Sequence, residues 1–385
     1  MFLNSQDSKK IGYYEEMLKI IGSLSRLFSE SSEPYIQYRI AENLFCKSFE
    51  AHNLSRTDCS ADASKDRVGF GVKTFLEKNG ATMQKVAEFN SDQILFRSMK
   101  GEDLVRTVAN LRNERIEATR RIFGLNSMIY HCVTRKESGI LVYETPMDLI
   151  AENRIRNVVV GKNVINFEDG INEYSFNITK STLYKRFLTQ NIFLNFRVNI
   201  LEDPFGALET LLKKVEKEIV FAPRRQQEHI LLPLYSYKKE KKAVSERSGL
   251  NQWNALGRPR DANEVYIPIP AWIHRVYPAF FPPRDESFNL VLPNRENMNA
   301  KVCQDNSKAL MSNPNSALGS WLLRNVLNLK EKELLNYEKL QRIGLDSVVI
   351  YKIADGQYDI DFTKLGSYEN FREQNLEYSD SEDEE

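Results

Sequence analysis

The stretch NALGRPRDANEVYIPIPAWI, residues 254–273, decides how the second half of the chain is built. Arg258 and Arg260 stand in a segment broken by glycine and proline, and residues 265–267 then have the composition of a short strand. Because glycine and proline favour turns and interrupt helices and strands, the pattern predicts a stiff basic loop directly before a folded module. An ordinary solvated turn would have the same composition, so the remaining sequence has to decide between the two.

The length and composition are those of a globular protein with room for two domains. The 385 residues contain 53 Lys and Arg and 53 Asp and Glu, so the net charge favours no class of partner. The cysteines lack metal-ligand spacing, which predicts reduced thiols. No apolar run reaches the ~18 residues of a membrane span, and the N-terminus lacks a signal-peptide pattern. We therefore expect a cytoplasmic protein that does not enter a membrane.

Hydrophobic periodicity predicts a mixed α/β domain first. Helical spacing occurs near residues 13–29, 34–52 and 101–123, and strands are predicted at VGFGVKTFL (68–76) and TMQKVAEFN (82–90), separated by a turn at Asn79-Gly80. The stretch from Thr179 to Phe187 is predicted to be a basic helix, whose Lys180, Lys185 and Arg186 are expected to face solvent rather than phosphates. The predicted parts are an α/β (α+β) domain at 1–237, a charged linker at 238–253, a mostly-β domain at 254–365 and an acidic disordered tail at 366–385.

Residues 254–362 resemble a known family. The features that match are the opening IPIPAWI, the paired strands FNLVLPN and MNAKVC, and the helix and turn in GSWLLRNVLNLKEKELL. They are similar to the B3-like DNA-recognition domain at the C-terminus of several bacterial restriction endonucleases. The resemblance implies an open pseudobarrel that binds double-stranded DNA.

In that family two arms grip the major groove, and their positions can be transferred to this sequence. The first arm would run from Gly257 to Asn263 and the second from Lys308 to Trp321. Arginine pairs with guanine edges or phosphates, and asparagine pairs with adenine. The resemblance therefore implies seven DNA-binding residues, which are Arg258, Arg260, Asn263, Lys308, Ser312, Asn313 and Asn315. Helical spacing to Leu318 and Leu322 predicts that Trp321 belongs to the core.

If the second domain binds DNA, the first one is a candidate nuclease. The four histidines, at 52, 131, 229 and 274, do not form the HxK motif of a phospholipase-D-like nuclease, and His131 is expected in the core. The metal-dependent PD-(D/E)XK core is the better candidate, and residues 60–90 resemble segments of type II restriction enzymes. That core needs an acid at a strand start, an acid-x-Lys trio on the next strand and often a Glu on the preceding helix.

The PD-(D/E)XK pattern is present here in a degraded form. The catalytic candidates are Glu42 on a helix, Asp58 and Asp62 before a strand, Lys73 within VGFGVKTFL, and Gln84 on the facing strand, where it would bind a metal-held water. Gly71 stands where the second acid is expected, so Glu42 or Glu88 would have to join Asp62 as metal ligands. Solvated turn acids and a surface lysine would have the same composition.

The sequence thus predicts a type II restriction endonuclease that hydrolyses double-stranded DNA with Mg²⁺. The expected partners are a DNA methyltransferase and a second copy of the chain in a homodimer. The absence of a phosphate-binding GxxxxGK[ST] loop means that the sequence itself predicts no ATPase. The alternative is a non-catalytic DNA-binding regulator, whose acids would not converge on Lys73.

Overall fold

The computed structural model describes residues 1–54, 59–215, 227–239 and 241–382. The chain divides into two compact units, of which one comprises Met1–Ile116 and Leu125–Arg224 and the other Glu117–Gly124 and Arg225–Glu385. Both units mix helices with sheets, as the sequence predicts. Among the described residues no helix combines the length and the apolar character that crossing a membrane requires.

The first unit begins with two helices and continues through two sheets. Its helices are α1 (Ser8–Ser23), α2 (Tyr38–Phe49), α3 (Gln93–Phe96), α4 (Gly101–Phe123) and α5 (Pro204–Val215). Its strands are β1 (His52–Asn53), β2 (Ala63–Lys65), β3 (Val68–Leu76), β4 (Ala81–Glu88), β5 (Ser127–Lys136), β6 (Gly139–Pro146), β7 (Arg156–Val160), β8 (Val164–Glu168), β9 (Glu173–Asn177), β10 (Thr182–Leu188) and β11 (Leu194–Arg197). The helix predicted at 101–123 is confirmed.

The sheet that carries the candidate site has the order β1-β2-β3-β5-β6-β11. Its neighbours are antiparallel, except that β3 runs parallel to β5. Helices α1 and α2 cover one face, because each has an apolar stripe: Tyr14 and Leu18 on α1 and Phe45 and Phe49 on α2 are buried in one core with Phe70 of β3. This packing fixes α2 beside the strands that follow it.

The other sheet of this unit is antiparallel, with the order β4-β10-β9-β8-β7. It buries an apolar core with the early turns of α4, including Val108 and Phe176. The prediction that β4 faces β3 is wrong, since β4 pairs with β10. Asn79 and Gly80 have positive φ, 51° and 76°, and this turn passes the chain from one sheet to the other. The basic helix predicted at 179–187 is also wrong, because these residues form β10.

The second unit is rich in strands. They are β12 (His229–Pro233), β13 (Ser236–Lys238), β14 (Lys241–Ala243), β15 (Ile267–Pro268), β16 (Ser287–Val291), β17 (Asn297–Cys303), β18 (Ala309–Ser312), β19 (Leu345–Ala354) and β20 (Gln357–Lys364). The helices that begin in this unit are α6 (Ala271–Val276), α7 (Ala317–Gly319), which continues as a π-helical stretch at Ser320–Val326, α8 (Tyr337–Ile343) and α9 (Ser367–Glu382).

Seven of these strands form one sheet that almost closes into a barrel. Their order is β12-β19-β20-β16-β17-β18-β15, and all pairs are antiparallel except the parallel pair β16 and β20. Residues of the two terminal strands, β12 and β15, lie within 8 Å of one another between Cα atoms. The strand-rich, barrel-like second domain is therefore as predicted, and Trp321 is in its core, as expected.

The described residues of the predicted linker at 238–253 are folded. Strand β14 lies within this range and pairs with β13, which begins at Ser236, and the Lys242 Nζ lies 2.9 Å from Asp346 and 2.5 Å from Glu369. The boundary also differs from the prediction, because β12, which was assigned to the first domain, pairs along its whole length with β19. Lysine-rich composition resembles a linker, but a lysine that meets buried acids becomes part of the fold.

The predicted disordered tail at 366–385 begins with a packed helix. Tyr368 and Phe371 are buried on one side of α9, three residues apart, and both stack near Trp272. The Trp272 indole N–H donates to the Tyr368 hydroxyl at 2.9 Å. Two aromatic anchors at helical spacing outweigh the acidic composition that follows them.

We expect a fragment of residues 227–382 to unfold cooperatively and a fragment of residues 250–365 to be unstable. The shorter fragment loses β12, with Ile230 and Leu232 both completely buried, and the anchors of α9. Each aliphatic side chain contributes about 1.5–3 kcal/mol when buried. Thermal circular dichroism of both fragments checks this. A sharp transition in the shorter fragment would contradict the structural role of β12 and α9.

Candidate functional site

Two acids of the first unit approach each other at the edge of the main sheet. Glu42 lies on α2 with only 4% of its surface exposed, and its Oε2 accepts a hydrogen bond from the Arg39 guanidinium at 2.9 Å. Asp62 directly precedes β2, and its Oδ2 accepts from the backbone N–H of Val72 at 2.8 Å. Its own N–H donates to the carbonyl of Phe70 at 2.7 Å. The ladder between β2 and β3 thus places the Asp62 carboxylate beside β3.

The charges of Glu42, Asp62 and Lys73 act on one another. Burial raises the pKa of Glu42, the nearby charge of Asp62 raises it further, and Arg39 and Lys73 oppose the shift. Burial also raises the pKa of Asp62, against the effect of Lys73 and of the Val72 N–H. These electrostatic effects link three residues that the sequence nominated, each from a different element. Acids whose pKa values are raised by burial and that lie near a lysine are frequent in functional sites.

The donor set fits a magnesium ion. Mg²⁺ is commonly held by one or two carboxylates together with waters and substrate phosphates, so Glu42 and Asp62 are sufficient ligands. A second positive charge near two buried acids would also relieve the cost of ionising them. Among the residues that the structure describes, no group of three His, Cys, Asp or Glu side chains could hold a metal. The other candidate aspartate, Asp58, lies outside the described residues.

The acid missing at Gly71 has a steric explanation. A Cβ atom at this position would lie 2.7 Å from the Met147 Cε and 3.0 Å from the Tyr130 Cδ1. The position faces a packed layer of side chains, so a carboxylate there would have to displace both neighbours. The departure from the acid-x-Lys pattern is therefore built into the packing of β3.

The remaining nominated acid and amide lie in the other sheet. Glu88, at the end of β4, is exposed and forms an ion pair with Lys85 at 2.8 Å. Gln84 stands opposite Lys185 in the ladder between β4 and β10. The structure does not group Glu88 with Glu42 and Asp62 as metal ligands.

The structure adds a basic cluster that the sequence did not reveal. A cavity of about 40 Å³ is lined by Lys73, Arg112 and Tyr130, among others. Lys185 is 2% exposed, and its Nζ lies 5.9 Å from the centre of the Tyr130 ring. Burial lowers the pKa of Lys185, and Arg112 lowers it further. Lys185 lies on the same face of β10 as the buried Leu183 and Phe187. Only this position in a strand could have indicated from the sequence that the lysine is buried.

His131 is a core residue, as expected. It is completely buried, and its Nε2 lies 2.9 Å from the Tyr14 hydroxyl. Its Nδ1 lies 3.5 Å from Glu144, which also accepts from the N–H of Leu3 at 3.2 Å. This network connects α1 and the N-terminal residues to the sheet.

In the second unit, the two arginines of the first arm have different surroundings. The Arg258 side chain is 57% exposed, and its Nη1 donates to Glu264 at 3.1 Å. The Arg260 side chain is 16% exposed, and its Nη1 donates to the carbonyls of Ala255 at 2.9 Å and Leu256 at 3.3 Å. Arg258 is therefore accessible to a ligand, whereas Arg260 closes the loop from inside.

The first arm is held against the helix of the second. The Asn263 Oδ1 accepts from the Arg324 Nε at 2.7 Å, and the Arg324 Nη2 donates to the Ala262 carbonyl at 2.8 Å. A Cβ on Gly319 would come within 2.0 Å of the Asn263 carbonyl oxygen, so glycine is needed for this approach. Arg324, which follows the second arm and which the sequence did not nominate, thus holds the end of the first arm.

The nominated residues of the second arm also include both buried and exposed side chains. Ser312 is completely buried, and its hydroxyl accepts from the N–H of Leu318 and donates to the Pro314 carbonyl, both at 2.8 Å. This hydroxyl shapes the turn and has no exposed surface to offer to DNA. Asn313 and Asn315 are exposed at the tip, on either side of Pro314. Lys308 is exposed at the other end of β18.

Residues 226–354 match a known family, the NgoFVII C-terminal B3-like DNA-binding domain. The matched range is roughly a third of the chain and includes both arms and the strands from β12 to β19. NgoFVII is a restriction enzyme, so this part of the chain is similar to the DNA-binding domain of a restriction enzyme. No curated protein matches the chain.

We expect Gly319→Ala to destabilise the second unit. The added Cβ meets backbone, which cannot move aside as a flexible side chain would, and such overpacking typically costs about 1–3 kcal/mol. Gly12→Ala in α1 is the control, because no atom lies within 4 Å of its Cβ position and alanine favours helix by about 1 kcal/mol. Denaturant unfolding of both variants checks this, and equal stability of Gly319→Ala and the unaltered protein would contradict the close contact.

Proposed function

We propose that the protein is a Mg²⁺-dependent, site-specific DNA endonuclease of the restriction type. The observation that carries the proposal is the convergence of Glu42, Asp62 and Lys73 in a chain whose other unit resembles the DNA-binding domain of a restriction enzyme. The acid on a helix, the acid before a strand and the lysine on the next strand occur in the chain order expected of a PD-(D/E)XK nuclease. The reaction would be hydrolysis of a phosphodiester bond that leaves 5′-phosphate ends.

Each residue of the centre has a distinct task. Glu42 and Asp62 would hold Mg²⁺, which when bound polarises a phosphate and acidifies a water. Arg39 and the Val72 N–H fix the two carboxylates in place, so that little reorganisation is needed when DNA arrives. The Lys73 ammonium would donate hydrogen bonds to the attacking water and to the phosphate oxygens, whose negative charge grows in the transition state.

The second unit would select the DNA site. Its accessible nominated residues are Arg258 on the first arm and Asn313 and Asn315 on the second. An arginine fork and two amides are suited to base edges in the major groove. Arg260, Asn263 and Ser312 would support the arms, because they are less exposed and their polar groups bind protein atoms. Arg258 is exposed and would exchange its ion pair with Glu264 for a contact with DNA.

Two partners follow from this function and are also proposed. One centre per chain would cut one strand at a time, so cutting of both strands favours a homodimer or two successive binding events. A nuclease specific for a short site endangers the DNA of its own cell, which would require a DNA methyltransferase with the same specificity.

We expect Lys73→Ala to lower the rate of DNA cleavage by a factor of about 10²–10³, because the lysine acts on the transition state. Specific DNA binding by this variant should be unchanged. Lys78→Ala, which removes an exposed lysine just beyond β3, is the control and should cleave normally. Plasmid cleavage with Mg²⁺ and with EDTA gives the rates, and fluorescence anisotropy gives the affinities. Normal cleavage by Lys73→Ala would remove this residue from the centre.

The same assays separate the two units. Arg258→Ala should weaken DNA binding and leave the chemical step unchanged at saturating DNA, with a loss of about 1–3 kcal/mol if the arginine contacts a base. If the unaltered protein binds DNA specifically but never cuts it with Mg²⁺, the alternative function, a non-catalytic DNA-binding regulator, is the correct one.

We expect Asp62→Asn to be more stable than the unaltered protein at neutral pH without Mg²⁺. Burial raises the pKa of Asp62 in the folded state, so folding disfavours its charged form. The stability that this group contributes is present at acidic pH and is lost as the pH rises through its raised pKa. The difference in stability between the variant and the unaltered protein should therefore be largest at neutral pH and smallest in acid.

Thermal melting over a pH series, with and without Mg²⁺, checks the role of Asp62. Mg²⁺ should raise the melting temperature of the unaltered protein, since a ligand that binds only the folded state stabilises it. The variant should show no such rise. An equal effect of Mg²⁺ on both proteins would show that Asp62 is not a ligand.

A further inference from the structure

A cavity in the second unit is distinct from the nuclease candidate and overlaps the arms only at Lys308, the first residue of the second arm. It has a volume of about 280 Å³, close to the lower end of small-molecule sites. It lies where the ends of β12 and β15 meet α9, and its aromatic walls are Tyr235, Tyr237, Tyr266 and Tyr368. Three further lining residues are prolines, which makes this part of the wall stiff: Pro233, Pro268 and Pro270. The space suits a single ring system rather than a helix or a duplex.

Three of these tyrosines have hydroxyls that are already hydrogen-bonded, so they offer ring surface to the cavity. The hydroxyls of Tyr235 and Tyr237 both donate to the Glu369 Oε1, the second at 3.0 Å. The Tyr368 hydroxyl accepts from the Trp272 indole. Lys242 in turn fixes Glu369 at 2.5 Å. An aromatic surface whose hydroxyls are already bound is preorganised for stacking and loses little freedom when a flat ligand binds.

Two cations stand at the same cavity. Lys308 and Arg372 both line it and are both exposed. Within the part of the chain that the structure describes, neither side chain forms an ion pair. Aromatic walls with two cations suit a planar ring that carries a negative group. Nucleotides have this combination, because the base stacks on aromatic rings and the phosphate pairs with Lys or Arg.

The cavity is separated from the exposed tip of the second arm by the length of β18. Lys308 precedes this strand and Asn313 follows it. The four residues of β18 span roughly 13 Å at ~3.3 Å per residue. A ligand in the cavity would therefore leave the tip of the arm free for duplex DNA.

We propose that this cavity is a binding site for a single nucleotide unit, with the base against the tyrosine rings and the phosphate on Lys308 and Arg372. Either a free nucleotide or one nucleotide of single-stranded DNA has the required chemistry. This site is additional to the proposed nuclease function and does not depend on it.

Titration calorimetry of the full chain tests the site. The probes are deoxyadenosine monophosphate, adenosine alone, inorganic phosphate alone, and a short single-stranded oligonucleotide. We expect the nucleotide to bind more tightly than adenosine or phosphate alone, because only the nucleotide uses both the rings and the cations. Tighter binding of the oligonucleotide than of the mononucleotide would identify single-stranded DNA as the source, and the reverse would identify free nucleotide.

Variants show whether binding occurs in this cavity. Tyr237→Ala and Arg372→Gln should each weaken nucleotide binding by roughly tenfold, whereas Tyr237→Phe, which keeps the ring, should bind almost normally. Arg275→Gln removes an exposed arginine of α6 outside the cavity and should have no effect. Unchanged thermal melting establishes that the variants fold, and duplex binding should also be unchanged. Absence of nucleotide binding, or binding that survives both Tyr237→Ala and Arg372→Gln, overturns the proposal.

Discussion

The parallel pairing of β3 with β5 is the constraint on which the first unit depends. Parallel neighbours cannot be joined by a tight turn, so the chain has to leave the sheet and return in the same direction. It builds β4, α3 and α4 on the way. The register sets Lys73 beside Cys132 and Gly71 beside Tyr130. Lys73 therefore lies on a strand that pairs with β5 along its whole length, where its backbone is more precisely held than in a loop.

Buried acids with raised pKa values occur in both units. In the second unit, burial raises the pKa of Asp346 although its hydrogen bonds to Lys242 and Tyr337 oppose the shift, whereas hydrogen bonds lower the pKa of the less buried Glu369. In the first unit, burial raises the pKa of both Glu42 and Asp62. A raised pKa therefore does not by itself distinguish a functional acid from a structural one. Glu42 and Asp62 are singled out by their chain order with Lys73, which resembles that of a PD-(D/E)XK nuclease.

The sequence predicted what depends on local pattern and failed where distant partners decide. The periodicity of 101–123 predicted α4. The partner of β4 could not be predicted, because pairing with β3 or with β10 satisfies the same alternation. The linker and the tail were misjudged because composition does not show that Lys242 meets buried acids or that Tyr368 and Phe371 pack on Trp272.

The basic loop of residues 254–263 is held in place by hydrogen bonds as well as by its proline. Arg260 binds the carbonyls of Ala255 and Leu256 from within, and Arg324 holds the far end at Ala262 and Asn263. The exposed residues 256–259 therefore project from a loop that is fixed at both ends, which lowers the entropy lost when a ligand binds. Of the two arginines, Arg260 donates to carbonyls of the loop itself, whereas Arg258 is exposed and paired with Glu264. The number of basic residues in such a segment therefore overstates the number of cations that are accessible on its surface.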